Sequence, residues 1–383
     1  MRNCMAALPG SAIAGWFAAA QTAGIPLHPV QKESAMHTPS TSETTPVRTA
    51  AARPHILILG ANGRLGLAAA QAFAAAGWQV TAPLRRAPVD DMPDTVQVLR
   101  VPLEDTASLA DAAAGASVVL HAVNPVYTRW NTDLLPLADA GMRLAERLGA
   151  RLLLPGNVYN FGAGMPPLLR EETPQQPSTR KGALRVTLET ELALRAAQGR
   201  LRATVLRAGD FFGGGSGNWF DQAIVKSLRA GRLVYPGPTT LPHAWAYLPD
   251  LAQVFLALAR RAPAAGAAFE RFHFAGHTFT GDQLLDGIEQ AAHSLGLRPA
   301  NGWKRAGLPW GLIRVGGLVV PMWRELAEMA YLWQVPHALD GSALTAAVGP
   351  LPATSAPDAL RASLYALGFG PRAGSLHRRE AGI

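Results

Sequence analysis

Short apolar runs recur along the middle of the chain, and longer stretches with helical spacing of apolar positions fall between them. Residues 55–59, 78–82, 96–101, 117–121, 151–154 and 202–208 read as strands. Their apolar character is nearly continuous, as in strands covered on both faces. Residues 66–76, 108–113, 130–148 and 181–197 read as helices. Strands alternating with helices predict an α/β fold: a doubly wound parallel sheet with right-handed crossovers. Ligands of such sheets lie beyond the strand C-terminal ends. That singles out the loops after Leu59, Ala82, Val101, His121, Leu154 and Ala208. The second half is less regular. There, residues 219–229, 251–260, 283–294, 326–333 and 359–367 read as helices and 272–275 as a short strand. The expectation is a sheet domain over 53–215, which later segments can complete, and a smaller C-terminal cap over 216–383.

The sharpest local signal is GANGRLG at 60–66, placed directly between the first strand and the first helix. Gly60 permits a sharp turn out of the strand. Gly63 lets a pyrophosphate approach the backbone, and Gly66 lets the helix pack close to the sheet. The helix start then offers free N–H groups and the positive end of its dipole to the anion. Strand, triplet and helix in this order predict a Rossmann-type dinucleotide site, with Gly60, Asn62, Gly63, Arg64, Leu65 and Gly66 around the phosphates.

Composition narrows the class. The chain has 383 residues, 49% hydrophobic and 16% charged, with a formal net charge of +8. The basic residues are mostly scattered arginines; the lysines are Lys32, Lys181, Lys226 and Lys304. No dense basic run or aromatic–basic stripe marks a nucleic-acid partner. The single cysteine, Cys4, excludes an intrachain disulfide and fits a reducing, cytoplasmic compartment. Residues 12–20 are mildly apolar after Arg2 and faintly resemble a signal peptide; residues 31–52 are polar and expected to be disordered. Residues 1–52 thus read as a disordered extension, or one mis-assigned ahead of a start at Met36. No apolar stretch is long enough to span a bilayer, so no stable membrane insertion is expected. The nearest, residues 308–323, is broken by Arg314 and Pro321 and reads as a surface-bound or buried amphipathic segment.

Over about residues 54–370 the chain resembles the extended short-chain dehydrogenase/reductase family, in its epimerase/dehydratase-like branch. The resemblance rests on GANGRLG (60–66), VVLHAV (118–123), NVYNFG (157–162), LRAGDFFGGG (206–215), WAYLPDLAQVFLAL (245–258) and FHFAGHTFTGDQLLDGI (272–288), in the family's order. It implies that His121, Ala122 and Val123 border the cofactor. It also implies a Tyr-x-x-x-Lys pair at the start of the helix after the fifth strand. That helix begins TRKGALRVTLETEL, with Lys181 at the tyrosine position and Arg185 at the lysine position. An arginine can anchor ribose hydroxyls but cannot relay a proton. The family's catalytic serine or threonine falls near Pro155–Asn157, where Asn157 supplies an amide. The chain reads as an atypical member, with Tyr159, Lys181 and Asn157 as candidate catalytic groups and Arg185 on the ribose. For Tyr159 a packing role is the alternative, and for Lys181 a solvated helix start.

The second strand ends WQVTAPLRR, without the acidic residue that holds the ribose of NAD. Arg85 and Arg86, with Arg64, suit a 2′-phosphate, so NADP(H) is expected and NAD is the alternative. Leu103 is expected to cover the adenine ring. Aromatic residues gather near the loops: Tyr127, Trp130, Phe161, Phe211, Phe212, Trp219, Trp245 and Tyr247. The long proline-rich loop 160–179 reads as a lid or binding loop. His243 replaces the arginine with which nucleotide-sugar members hold a diphosphate, and His121 and His277 read as structural. No metal pattern is visible. The expected function is an NADP(H)-dependent oxidoreductase for a small apolar or aromatic substrate, as monomer or homodimer; the alternative is a non-catalytic NADP(H)-binding regulator.

Overall fold

A computed structural model describes residues 53–351 and 353–370. The expectations for residues 1–52, Cys4 among them, lie outside the described residues. The first half runs β1 (His55–Leu59), α1 (Arg64–Ala75), β2 (Gln79–Pro83), β3 (Gln97–Leu99), α2 (Thr106–Ala112), β4 (Val118–His121), α3 (Trp130–Leu148), β5 (Arg151–Gly156), β6 (Leu168–Leu169), α4 (Arg180–Ala197) and β7 (Arg202–Arg207). Then follow β8 (Asp210–Phe212), β9 (Arg232–Tyr235), β10 (Pro242–Tyr247), α5 (Leu248–Arg260), β11 (Phe269–His273), β12 (His277–Thr280) and α6 (Gly281–Ser294). The chain ends with β13 (Lys304–Gly307), α7 (Trp310–Gly316), α8 (Pro321–Glu328), β14 (Ala338–Leu339), α9 (Ser342–Val348) and α10 (Ala356–Ala366).

Seven strands form one sheet in the order β11-β7-β5-β4-β1-β2-β3, every neighbouring pair parallel. Its fill follows from the sequence of β1. HILIL is buried at all five positions. Successive side chains point to opposite faces, so Ile56 and Ile58 pack with α1 and α5 while Leu57 and Leu59 pack with α2, α3 and α4. The sheet is completed from the second half of the chain, because β11 pairs with β7 and α5 packs on α1.

The remaining strands build smaller sheets: β12-β10-β8, β13-β9 and β14-β6. The first two border a core around Phe212, Trp245, Leu284, Ile288, Trp333 and Leu364, while β6 and β14 place Leu169 and Leu339 in the core of the large sheet. Two helix expectations are corrected here. Residues 219–229 form a wide turn, Phe220–Ile224, and a 3-10 turn, Leu228–Ala230. Asp221 accepts from the amides of Gly217 and Asn218, both at 2.7 Å, and so holds this segment in a turn. Residues 326–333 straddle a break. Helix α8 starts earlier, with Pro321 in its first turn where a missing N–H costs nothing, and stops at Glu328 before a 3-10 turn over Ala330–Trp333.

Candidate active site

Gly60 leaves β1 with φ 84°, a conformation that a residue with a Cβ rarely adopts. A Cβ there would also lie 2.9 Å from the carbonyl of Ala122, so the backbone of Ala122 and Val123 crosses directly over the glycine loop. Gly63 donates to the Gly60 carbonyl at 2.9 Å and opens α1 without a side-chain cap. A Cβ on Gly66 would sit 2.2 Å from the Gly60 oxygen. The first turn of α1 contains no acidic residue. The result is a bare, positively polarised helix start that suits a pyrophosphate. Asn62 donates to the Ala87 carbonyl at 2.8 Å, while its Oδ1 is buried without a partner. His121 places its backbone here but not its ring. The ring is buried against α3, its Nε2 is 2.9 Å from the Leu137 carbonyl, and burial lowers its pKa. A Cβ on Gly141 would come within 2.2 Å of that ring. Its side chain therefore serves helix packing rather than the cofactor.

The three arginines expected on one phosphate separate. Arg85 and Arg86 are exposed beyond β2. Arg64 turns the other way. Its guanidinium donates to the Ser216 carbonyl at 3.1 Å, and burial lowers its pKa against the opposing charges of Asp221 and Tyr127. It closes the glycine-rich turn at 213–217 over α1 instead of joining Arg85 and Arg86. A fourth arginine, missed in the sequence, fixes that corner: Arg100 donates to the carbonyls of Arg86 at 2.6 Å and Leu84 at 3.2 Å. Its position just past β3, beside the end of β2, was the available signal. Leu103 is partly buried against the core that includes Leu57 and Leu59.

Two tyrosines meet where β4 and β5 end. Tyr127 and Tyr159 each open a 3-10 turn, and their hydroxyls lie 2.7 Å apart. Trp130 backs both, with ring centroids 5.5 and 6.0 Å away. Burial pushes the Tyr127 phenol up to about 12, offset in part by its hydrogen bond with Tyr159 and by the charges of Arg185 and Arg64. Burial raises Tyr159 too, and the negative charges on Tyr127 and Asp210 add to it. Arg185 lies close enough to feel the charge of both phenols, Tyr159 first. Sequence reading placed Tyr127 only among the pocket aromatics; its pairing with Tyr159 makes it a candidate beside that residue. Asn157 is committed elsewhere: its Oδ1 accepts from the Tyr159 backbone N–H at 3.0 Å and closes a turn.

Helix α4, capped by the Thr179 hydroxyl on Gly182 N–H at 3.1 Å, sets three charged residues at four-residue spacing on one face. Lys181, fully buried, is the first, and it is neither a free proton carrier nor a solvated helix start. Its ammonium pairs with Glu325 and, at 2.6 Å, with Glu328. Arg180 adds a two-pronged contact to Glu325, 3.1 Å to each oxygen. Glu328 also accepts from the Lys181 backbone N–H at 3.0 Å. Helix α8 thus clamps the start of α4. The Lys181 ammonium lies 5.3 Å from the Tyr127 ring centre, so the clamp sits beside the phenol pair. Arg185 is the second. It donates to the Pro155 carbonyl at 3.2 Å and lies 5.0 Å over the Trp130 ring. Its Nε is buried without a partner, a donor left over for a ribose or substrate oxygen. The third, Glu189, is buried between Arg207 at 2.6 Å and Arg271 at 3.3 Å, with Asn160 at 3.0 Å.

On the cap side His243 is not free for a ligand. It is 2.8 Å from Asp210, stacks on Trp333 at 4.3 Å, and meets His337 edge-on. Burial and the neighbouring His243 lower His337 to about 3. Of the eight gathered aromatics, Trp130, Phe161, Phe212, Trp245 and Tyr247 are buried in the cores. Tyr127, Phe211 and Trp219 keep partial exposure. The loop 160–179 is tied down rather than free: β6 pairs with β14, and Asn160 bonds Gln175 at 2.8 Å. His277 stacks on Phe279 at 5.3 Å.

The model of the NAD dependent epimerase/dehydratase family matches residues 56–272. A dTDP-6-deoxy-L-talose 4-dehydrogenase (NAD(P)(+)) of Kitasatospora kifunensis is 29% identical over 182 residues, 45% of this chain and 56% of that protein. The chain thus spans a little over half the length of this curated relative. Among solved structures, the fold is similar to UDP-glucose 4-epimerase from Brucella ovis in complex with NAD (TM-score 0.63, 13% identity, 81% of this chain and 97% of that one). It is equally similar to L-threonine dehydrogenase from Clostridium difficile (TM-score 0.63, 16% identity, 82% and 98%). With its parallel sheet, glycine loop and match over more than half its length, the chain belongs to the NAD dependent epimerase/dehydratase family.

Proposed function

We propose that this member of an NAD(P)-dependent family is an NADP(H)-dependent oxidoreductase for a small, uncharged organic substrate, apolar or aromatic, bound at the C-terminal edge of the sheet. The observation that carries this reading is the Tyr127–Tyr159 pair, 2.7 Å apart beside Arg185. When bound, the dinucleotide gives or takes a hydride at its nicotinamide. The chain handles the proton. Tyr127, the partly exposed phenol of the pair, donates it to a substrate oxygen, the Tyr159 hydroxyl hydrogen-bonds the phenolate left behind, and a solvent proton restores Tyr127. Arg185 and Arg64 steady the transient phenolate. The bare start of α1 and the exposed Arg85 and Arg86 support NADP(H), and β2, QVTAP, offers no carboxylate for the ribose of NAD. The relative from Kitasatospora is named for a dTDP-sugar; here the engagement of His243 by Asp210 and Trp333 favours a substrate without a diphosphate.

The second reading is a dinucleotide-binding protein without turnover. It is favoured by Lys181, which stands at the family's tyrosine position with its ammonium tied to two carboxylates. Titration with NADPH and NADH, followed by a carbonyl-substrate screen, separates the two. Turnover that falls in Tyr127→Phe with NADPH affinity kept supports the enzyme. Tight NADPH binding with no substrate oxidising it gives the protein to the second reading.

A further inference from the structure

Nine large apolar side chains are exposed among the described residues, and four of them fall within the eight residues from Leu312 to Val319. Leu312 is 49% exposed, Val315 68%, Leu318 84% and Val319 82%. They occupy α7 and the turn into α8. That turn is rigid. Val320 N–H donates to the Gly316 carbonyl at 2.8 Å and Gly317 N–H to Ile313 at 2.9 Å. The Trp323 ring lies where a Cβ on Gly316 would be 2.0 Å away. Residues 303–324, WKRAGLPWGLIRVGGLVVPMWR, contain Lys304, Arg305, Arg314 and Arg324. Arg305 is paired with Asp286 and Glu289 and Arg324 lies 3.6 Å from Glu325, whereas Arg314 has no ion pair among the described residues.

We propose that the α7–α8 hairpin docks on the surface of an anionic lipid bilayer. Leu318, Val319 and Val315 enter the interfacial layer, and Arg314 meets headgroup phosphates. The charge pattern selects this partner. An apolar tip that carries the unpaired cation Arg314 within it complements anionic lipid on both counts. A second copy docked symmetrically on the same tip would set its Arg314 against this one. The contact is peripheral: no helix among the described residues is long and apolar enough to cross a membrane. The inference does not depend on the reaction assigned to the sheet edge.

The test uses the full chain in sedimentation with vesicles of phosphatidylcholine alone or mixed with phosphatidylglycerol. Expected is binding that requires phosphatidylglycerol and weakens with salt. It should drop about tenfold or more in L318E/V319E and about fivefold in R314E, with unchanged circular dichroism and melting for both variants. No binding to either vesicle overturns the proposal. So does equal binding by L318E/V319E. A concentration-dependent dimer in vesicle-free solution that L318E/V319E splits gives the face to a second copy and overturns it too.

Discussion

Replacing Lys181 by Met tests whether this buried ammonium is a fastening or a proton carrier. Its removal leaves Glu325, 4% exposed, and Glu328, 18% exposed, with Arg180, and Arg324 at 3.6 Å from Glu325, as the remaining cations. Breaking one side of a buried ion pair costs about 3–5 kcal/mol, mainly from the uncompensated charge left behind. Arg180 is half exposed and still reaches both carboxylates, so the lower end, about 3 kcal/mol, applies. With an unfolding entropy of about 2 cal/mol/K per residue over roughly 300 folded residues, this lowers Tm by about 5 °C. Melting by circular dichroism at neutral pH measures it. Adding Glu325→Gln and Glu328→Gln to Lys181→Met removes the stranded charges and recovers most of the loss. The pH dependence has a defined sign. Burial raises the Glu325 carboxyl, but the hydrogen bonds and charges of Lys181 and Arg180 outweigh it and hold it below its usual value. Its contribution is therefore present above the ordinary carboxylate range and lost as pH falls through the folded value. The gap between wild type and Lys181→Met narrows on acidification. A Tm within about 1 °C of wild type at neutral pH, or no recovery in the triple variant, would refute the clamp.

Gly63→Val should abolish dinucleotide binding in a folded protein, because its Cβ meets only the Gly60 oxygen, at 3.1 Å, while the branched chain fills the phosphate approach; unchanged NADPH affinity by fluorescence titration removes the site. Removing Arg85 and Arg86 together should weaken NADPH far more than NADH, and equal losses would show that the pair does not read the 2′-phosphate. A Tyr127 phenol at about 12 stays protonated through neutral pH, so the rate of carbonyl reduction should show no limb from this group between about pH 6 and 10. A limb in that window that disappears in Tyr127→Phe contradicts the assignment. Tyr159→Phe should slow turnover less than Tyr127→Phe, since Tyr159 only hydrogen-bonds the phenolate that Tyr127 leaves.

The sheet was legible because its strands are covered on both faces and so carry continuous apolar runs: HILIL and VVLH were found almost residue for residue. The glycine loop was legible because each glycine answers a steric demand made within a few residues of it. The cap was not. Its strands are two to six residues long, and PHAWAY is buried from its second residue on, leaving no alternation to see. The same limit explains the candidate site. That Lys181 lies within a helix with Arg185 four residues on was readable. That Glu325 and Glu328, more than 140 residues later, neutralise it was not. Tyr127 likewise gains its meaning only from Tyr159, on a neighbouring strand's loop.

The face of α4 that carries Lys181, Arg185 and Glu189 has a consequence for how this chain tolerates insertions. Each residue answers to a different part of the molecule: the cap helix, the loop after β5, and the paired arginines of β7 and β11. The three contacts span about 12 Å of helix axis and act like the teeth of a key, which fits in one rotational setting. An extra residue between Lys181 and Glu189 would turn one tooth by about 100° relative to the others. No slack elsewhere could restore all three at once. Length changes should therefore accumulate in the loop before Thr179, upstream of the first tooth, and be excluded from the two turns that follow it.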